Sequence, residues 1–188
     1  IVLLNDVDES ATFNMNSTVT LNLNGFDMTS SGITITVSGG TTLIITGIGT
    51  IDSGDQDDKN IRSIVNNGGT ITFDVDSDVT CLDEILNDQN GTINIFGTVD
   101  METNDISNRY GSNLNIHGTI YGGVANFGTT TLYDGCNNYL ANIRNTGSEG
   151  IVTGQIVLSE DCNNVHNIFV SHQDEIDTGG NAMLKAFN

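Results

Sequence analysis

The sequence predicts an all-β chain, and within that class a right-handed single-stranded parallel β-helix of about eight coils of ~20 residues with an asparagine ladder. Three observations carry the prediction. Apolar residues alternate with a period of two, as in Ile93-Asn94-Ile95 and Leu114-Asn115-Ile116, rather than the 3.6 of a helix. The 188 residues include 22 Gly, 25 Asn and 23 Thr with no Pro and no Trp, a vocabulary of strands and turns. An apolar-x-Asn triplet recurs six times, at Ile64-Val65-Asn66, Ile85-Leu86-Asn87, Ile106-Ser107-Asn108, Val124-Ala125-Asn126, Ile143-Arg144-Asn145 and Val165-His166-Asn167. The successive Asn spacings are 21, 21, 18, 19 and 22. Propeller blades need about 40 residues, and sandwiches do not repeat one triplet in register, so the period selects a solenoid.

Taken in order, residues 1–60 form irregular opening coils, with strands at Val19 to Gly25, Ile33 to Val37 and Thr42 to Ile45 that lie outside the Asn column. Residues 61–170 form the regular coils. A second track of alternation running into glycine lies between the triplets, as in Ile93 to Val99, Leu114 to Ile120 and Val152 to Ile156. Stacked coils ~4.8 Å apart put Asn66, Asn87, Asn108, Asn126, Asn145 and Asn167 one above another at a bend, where Asn tolerates the left-handed conformation and stacked amides satisfy corner backbone. Ile64, Ile85, Ile106, Val124, Ile143 and Val165 then point inward as a core column. Residues 171–188 close the chain as a cap or tail, and 181–188 alone could take a helical turn. The expectation is one domain over 1–188, a rod roughly 40 Å long.

Charge narrows the partners. The formal charge is −19, and the only cations, Lys59, Arg62, Arg109, Arg144 and Lys185, are scattered, which excludes a nucleic-acid footprint. No apolar run approaches the ~18 residues of a membrane span, so membrane insertion is not expected. Ile1 reads as a processed or internal start. Cys81, Cys136 and Cys162 form no CxxC; Cys136-Asn-Asn and Cys162-Asn-Asn stand 26 apart, and whether they pair is left open.

The runs Val2 to Val7, Thr18 to Gly25, Gly40 to Asp52 and Asn66 to Phe73 resemble the opening of pectate-lyase-like right-handed β-helix domains, which occur in surface proteins of Gram-positive bacteria and in appendages of their phages. The resemblance covers residues 2 to about 130 and implies the fold; the same coils serve enzymes, adhesins and virion fibres. Polygalacturonase-like members show Asn-Thr-Asp, Asp-Asp, Gly-His-Gly and Arg-Ile-Lys in order. Here Asp57-Asp58 is the only paired Asp, His117 sits in Ile-His-Gly, and Arg-Ile-Lys is missing. A calcium-dependent lyase needs an arginine base above an acidic site, and each Arg falls in a different coil.

Asp52, Asp76 and Asp100 recur at intervals of 24 and are expected to stack on one outer face, reinforced by Asp74 and Asp78. Stacked carboxylates repel, and Ca²⁺ would relieve them; the loop from Asp52 to Asn60, with Asp55 and Asp57, is a second place for the ion. Asp74-Val-Asp76-Ser-Asp78 imitates an EF-hand start but has Val79 where Gly is required and Ile85 where Glu is required. His117, His166 and His172 read as surface residues, and no cofactor is expected beyond calcium. Thr50, Thr98 and Thr119 make a partial outward column too ragged for matching an ice lattice.

The expected function is a non-catalytic, adhesive rod on a virion surface that self-associates or meets partner proteins or host glycans. The chain is compact, shows no cell-wall anchor and ends soon after its last coil, which leans towards the phage. The alternatives are a bacterial cell-surface adhesin and a polysaccharide-degrading enzyme, a glycoside hydrolase or lyase using Asp52, Asp76 and Asp100.

Overall fold

The computed structural model describes residues 1–9, 12–54, 61–145, 147–148, 151–152, 154–159, 170–172 and 183–185. They form a parallel β-solenoid with three walls. The first wall is an eight-stranded sheet of Val19–Asn22, Thr42–Thr46, Thr70–Phe73, Thr92–Ile95, Asn113–Ile116, Thr129–Leu132, Gln155–Leu158 and Met183–Lys185, stacked in that order. The second begins with Val7–Glu9, Met28–Ser30, Ile48–Asp52 and Asp78–Cys81, and the third with Phe13–Met15, Ile33–Ser38, Arg62–Asn67 and Glu84–Asp88. The long strands Thr98–Asn108, Thr119–Asn126 and Asn137–Asn145 then run through the corner between these two walls and join them into one 12-stranded sheet. Among the described residues six coils are complete by Leu132; a seventh carries a small hairpin, Gly147–Ser148 against Ile151–Val152, and Val170–His172 with Met183–Lys185 begin an eighth. The stretch 183–185 is strand, not helical turn.

Alternation puts every second residue inside, and register stacks like on like. Leu43, Ile71, Ile93 and Leu114 form one inward column, and Ile45, Phe73, Ile95, Ile116 and Leu132 the next. All belong to a single buried cluster extending from Leu3 to Ile156. Each such side chain withdrawn from water contributes about 1.5–3 kcal/mol. The inward column expected from the triplets is present: Ile64, Ile85, Ile106 and Val124 are in register and fully buried.

The amide ladder stands beside it. Asn66, Asn87, Asn108, Asn126 and Asn145 are consecutive in register, and the first four are fully buried. Asn66 Nδ2 donates to Asn87 Oδ1 at 2.8 Å, Asn87 Nδ2 to Asn108 Oδ1 at 2.9 Å, and Asn108 Nδ2 to Asn126 Oδ1 at 2.9 Å. The second amide proton of each reaches the corner backbone: Asn87 Nδ2 also donates to Asn113 O at 2.9 Å, Asn108 Nδ2 to Thr129 O at 3.0 Å, and Asn126 Nδ2 to Gln155 O at 3.0 Å. At the start of the row, Asn66 Oδ1 accepts from Gly69 N at 3.0 Å.

Two expectations about the ladder are corrected. The strands of residues 1–52 keep register with the later coils, since Val19, Leu43 and Ile71 follow one another, as do Ile35 and Ile64. Only the ladder position differs there, held by Met15 and Val37 before Asn66, because an apolar side chain fills that corner in the first two coils. The ladder asparagines are strand residues, and the left-handed bend falls a few residues later, at Gly68 (φ 81°), Asn90 (φ 64°) and Gly111 (φ 79°). Finally, the neighbours of Ile143 and Asn145 are Val170 and His172 rather than Val165 and Asn167, which lie outside the described residues. The last coil is longer than the triplet spacing suggests.

Candidate functional site

The outward positions of the first wall form the most regular surface. One column reads Thr42, Thr70, Thr92, Asn113, Thr129 and the next Ile44, Thr72, Asn94, Asn115, Thr131. Neither carries a charge, on a chain of net −19. The amides of the second column are tied along it: Asn115 Nδ2 donates to Asn94 Oδ1 at 2.9 Å, and Asn94 Nδ2 to Thr72 Oγ1 at 3.4 Å.

An aromatic row borders this lattice where the strands leave the wall. Phe96 and His117 stack at 4.3 Å between ring centroids and 19° between planes, and His117 and Tyr133 at 3.7 Å and 17°. Backbone bonds set the spacing, with Phe96 N donating to Phe73 O at 2.9 Å, His117 N to Ile95 O at 2.8 Å and Tyr133 N to Ile116 O at 2.9 Å. Glycine lets the coils close up here, since a Cβ on Gly118 would strike the carbonyl oxygens of Phe96 and Gly97. Burial lowers the pKa of His117 below its usual value, so the ring between two aromatic faces favours the neutral form. The His117 ring is thus covered by an aromatic ring on both faces, and Phe96 is 42% exposed.

The expected acidic column is not formed. Asp52 pairs in register with Thr29, Asp100 with Thr80 and Tyr121, and Asp78 with Ile48 and Thr98, while Asp76 sits in the turn closed by Ser77 N to Asp74 O at 2.9 Å. A sequence interval of 24 fails because the coils vary in length. Three of these carboxylates instead accept from nearby turn backbone: Asp52 from Gly54 N at 3.1 Å, Asp74 from Val75 N at 2.8 Å, and Asp100 from Glu102 N at 2.8 Å. Among the described residues no group of three or more His, Cys, Asp or Glu is placed to hold a metal ion, and Asp52, Asp74, Asp76 and Asp78 are not gathered into one. Asp55 and Asp57 lie outside the described residues. Asp76 borders an open depression of about 540 Å³ with Asn22, Asn24 and Thr46.

Sequence reasoning missed a polar clasp beside the acidic loop. Asp83 Oδ2 accepts from Ser53 N at 3.1 Å and from the Ser53 hydroxyl, and Asp83 N donates to Ser63 Oγ at 3.1 Å. Arg62 Nε donates to Glu84 Oε2 at 2.7 Å. The two flanks of the segment 54–61 are thus fastened to the next coil. Cys81 is fully buried, and its thiol pKa is raised by that burial and then by Asp83 and Asp100, which suppresses its reactivity. Cys136 is buried, and Cys162, like His166, lies outside the described residues, as does any pairing between the two cysteines. Thr98 and Thr119 are neighbours as expected, but Thr50 stands in another column, beside Thr80.

No protein-family model, curated protein or solved structure matches the chain. The fold defines its class, a parallel β-solenoid.

Proposed function

We propose that the chain is a non-catalytic structural rod displayed on a surface, a phage virion first and a bacterial cell second, whose outer walls contact host glycans or partner subunits. The observation that supports this reading best is the continuous bonding along the stack. Three walls of parallel strands and a buried row of corner amides tie each coil to the next, so bending or shearing breaks many bonds at once. Such stiffness suits a spacer that holds a contact surface away from its base. The resemblance of residues 2 to about 130 to β-helix domains of Gram-positive surface proteins and phage appendages favours display at a surface. The arginines whose side chains are described are engaged: Arg62 pairs with Glu84, and Arg109 lies over the Phe127 ring at 5.2 Å.

Immunogold electron microscopy of virions and of the cells that release them tests display. Label on virions supports the phage rod, label on the cell wall the adhesin, and label confined to the cell interior refutes both. Incubation with alginate and polygalacturonate, read as new reducing ends or unsaturated uronates, tests inertness. Product that disappears in an Asp76→Asn variant would assign the chain to the polysaccharide-degrading enzymes.

A further inference from the structure

We infer that the outward face of the first wall, from Thr42 to Thr131, is a binding platform for an uncharged polysaccharide, with the Phe96, His117 and Tyr133 row as its rim. The inference rests on the adhesive reading above and gives it a place and a ligand class.

Charge distribution is the first argument. The second wall presents Asp78 and Asp100, and the third Arg62, Glu84 and Asp105, whereas ten consecutive outward positions on the first wall carry Thr, Asn and one Ile. Covering these ten positions desolvates no ion, which removes the largest cost of contact. A polyanionic glycan would meet the repulsion of the whole chain, net −19, without a compensating cation among these ten positions. A neutral glycan meets neither.

Donor and acceptor balance is the second. Each Thr hydroxyl and Asn amide both donates and accepts, as sugar hydroxyls do, so a polyol can exchange bonds in either direction along the columns. The rim adds aromatic rings, whose edges carry the positive end of the quadrupole and favour sugar oxygens. His117, held towards its neutral form, offers one donor and one acceptor without adding charge.

Preorganisation is the third. Threonine is stiff at χ1, Asn94 and Asn115 are bonded to one another, and the three rings stack within 4.3 Å, so little side-chain freedom remains to be lost on binding.

The test is affinity electrophoresis of the intact chain through native gels containing dextran, galactomannan or laminarin, with alginate and polygalacturonate as polyanions. Retardation by a neutral polymer and none by the polyanions is expected. Thr72→Glu and Thr131→Glu, which place a charge on the wall, should each weaken retardation about tenfold, whereas Thr36→Glu on the third wall should leave it unchanged. Circular dichroism melts of the three variants confirm folding, and Phe96→Ala provides a rim variant with no new charge. Retardation that survives both first-wall charges but falls with Thr36→Glu would overturn the placement and leave the adhesive reading intact. Preferential retardation by the polyanions overturns the ligand class. A concentration-dependent dimer that Thr131→Glu dissolves would assign the wall to a second copy instead. No retardation by any of the five polymers refutes both the platform and the glycan-contact reading.

Discussion

Replacing Asn87 by Ala probes the middle of the buried amide row. Asn87 Nδ2 donates to Asn108 Oδ1 at 2.9 Å, Asn113 O at 2.9 Å and Gly91 O at 3.2 Å, and Asn87 Oδ1 accepts from Asn66 Nδ2 at 2.8 Å. Asn66 keeps bonds to Gly69 O and Thr92 O, so the loss concentrates on the Asn108 side of the corner. The two amide hydrogens, one of them shared between two acceptors, and the one accepted bond make three bonds at about 1 kcal/mol net each, and buried groups left unpaired add to them, for a destabilisation of about 3–5 kcal/mol. That is a large part of the about 5–15 kcal/mol that holds a domain together. Asn94→Ala is the control, because Asn94 is half-buried on the outer wall and shares one short amide bond with Asn115; its cost should be about 0.5–1 kcal/mol. Urea unfolding followed by circular dichroism measures both. Equal costs for the two variants, or a cost for Asn87→Ala under about 1 kcal/mol, would refute the claim that the buried row holds the corner.

Other perturbations follow from single features. Thr130 replaces an apolar residue in the inward column between Leu114 and Ile156, and its buried hydroxyl has no partner; Thr130→Val should raise stability by about 1 kcal/mol in the same urea assay. A Cβ on Gly91 would stand 2.5 Å from Asn66 Nδ2 and 2.6 Å from Asn87 Oδ1, so Gly91→Ala should spread the amide row and cost about 1–3 kcal/mol. Because burial lowers the pKa of His117 in the folded chain, the unfolded chain takes up the proton first as pH falls through about 6.5. Stability tied to the neutral ring is therefore present above that pH and lost below it. The melting temperature of His117→Phe should gain on that of the unmodified chain between pH 7 and pH 5, and a pH-independent difference would contradict the stacked, part-buried placement.

The architecture was legible wherever one residue type repeats at one structural position. Period-two alternation in Ile71-Thr72-Phe73 and Ile93-Asn94-Ile95 reports inside and outside directly, and the Asn66, Asn87, Asn108, Asn126 and Asn145 repeat reports the coil. Legibility failed where coil length varies. The interval from Thr42 to Thr70 holds the acidic insertion, while that from Asn113 to Thr129 is short, so equal sequence spacing of Asp52, Asp76 and Asp100 does not mean equal height and face. Val37 hid the first coils from the Asn pattern, since an apolar side chain fills the same corner without needing an amide. The uncharged wall carried a readable signal in Thr70-Ile71-Thr72 and Thr129-Thr130-Thr131, but it needed the register to separate it from the Thr98 and Thr119 column on the neighbouring wall. The aromatic row was unreadable in advance: Phe96, His117 and Tyr133 are chemically different, and only the backbone bonds that close each coil bring their rings together.

Hydrogen exchange of the asparagine side-chain amides by nuclear magnetic resonance tests the central claim most directly. Buried, bonded NH₂ groups of Asn66, Asn87, Asn108 and Asn126 should exchange far more slowly than those of the exposed Asn90 and Asn113. Exchange of all six amides at one common, solvent-like rate would mean that the four do not stack inside the corner, and the coil-on-coil account would be contradicted.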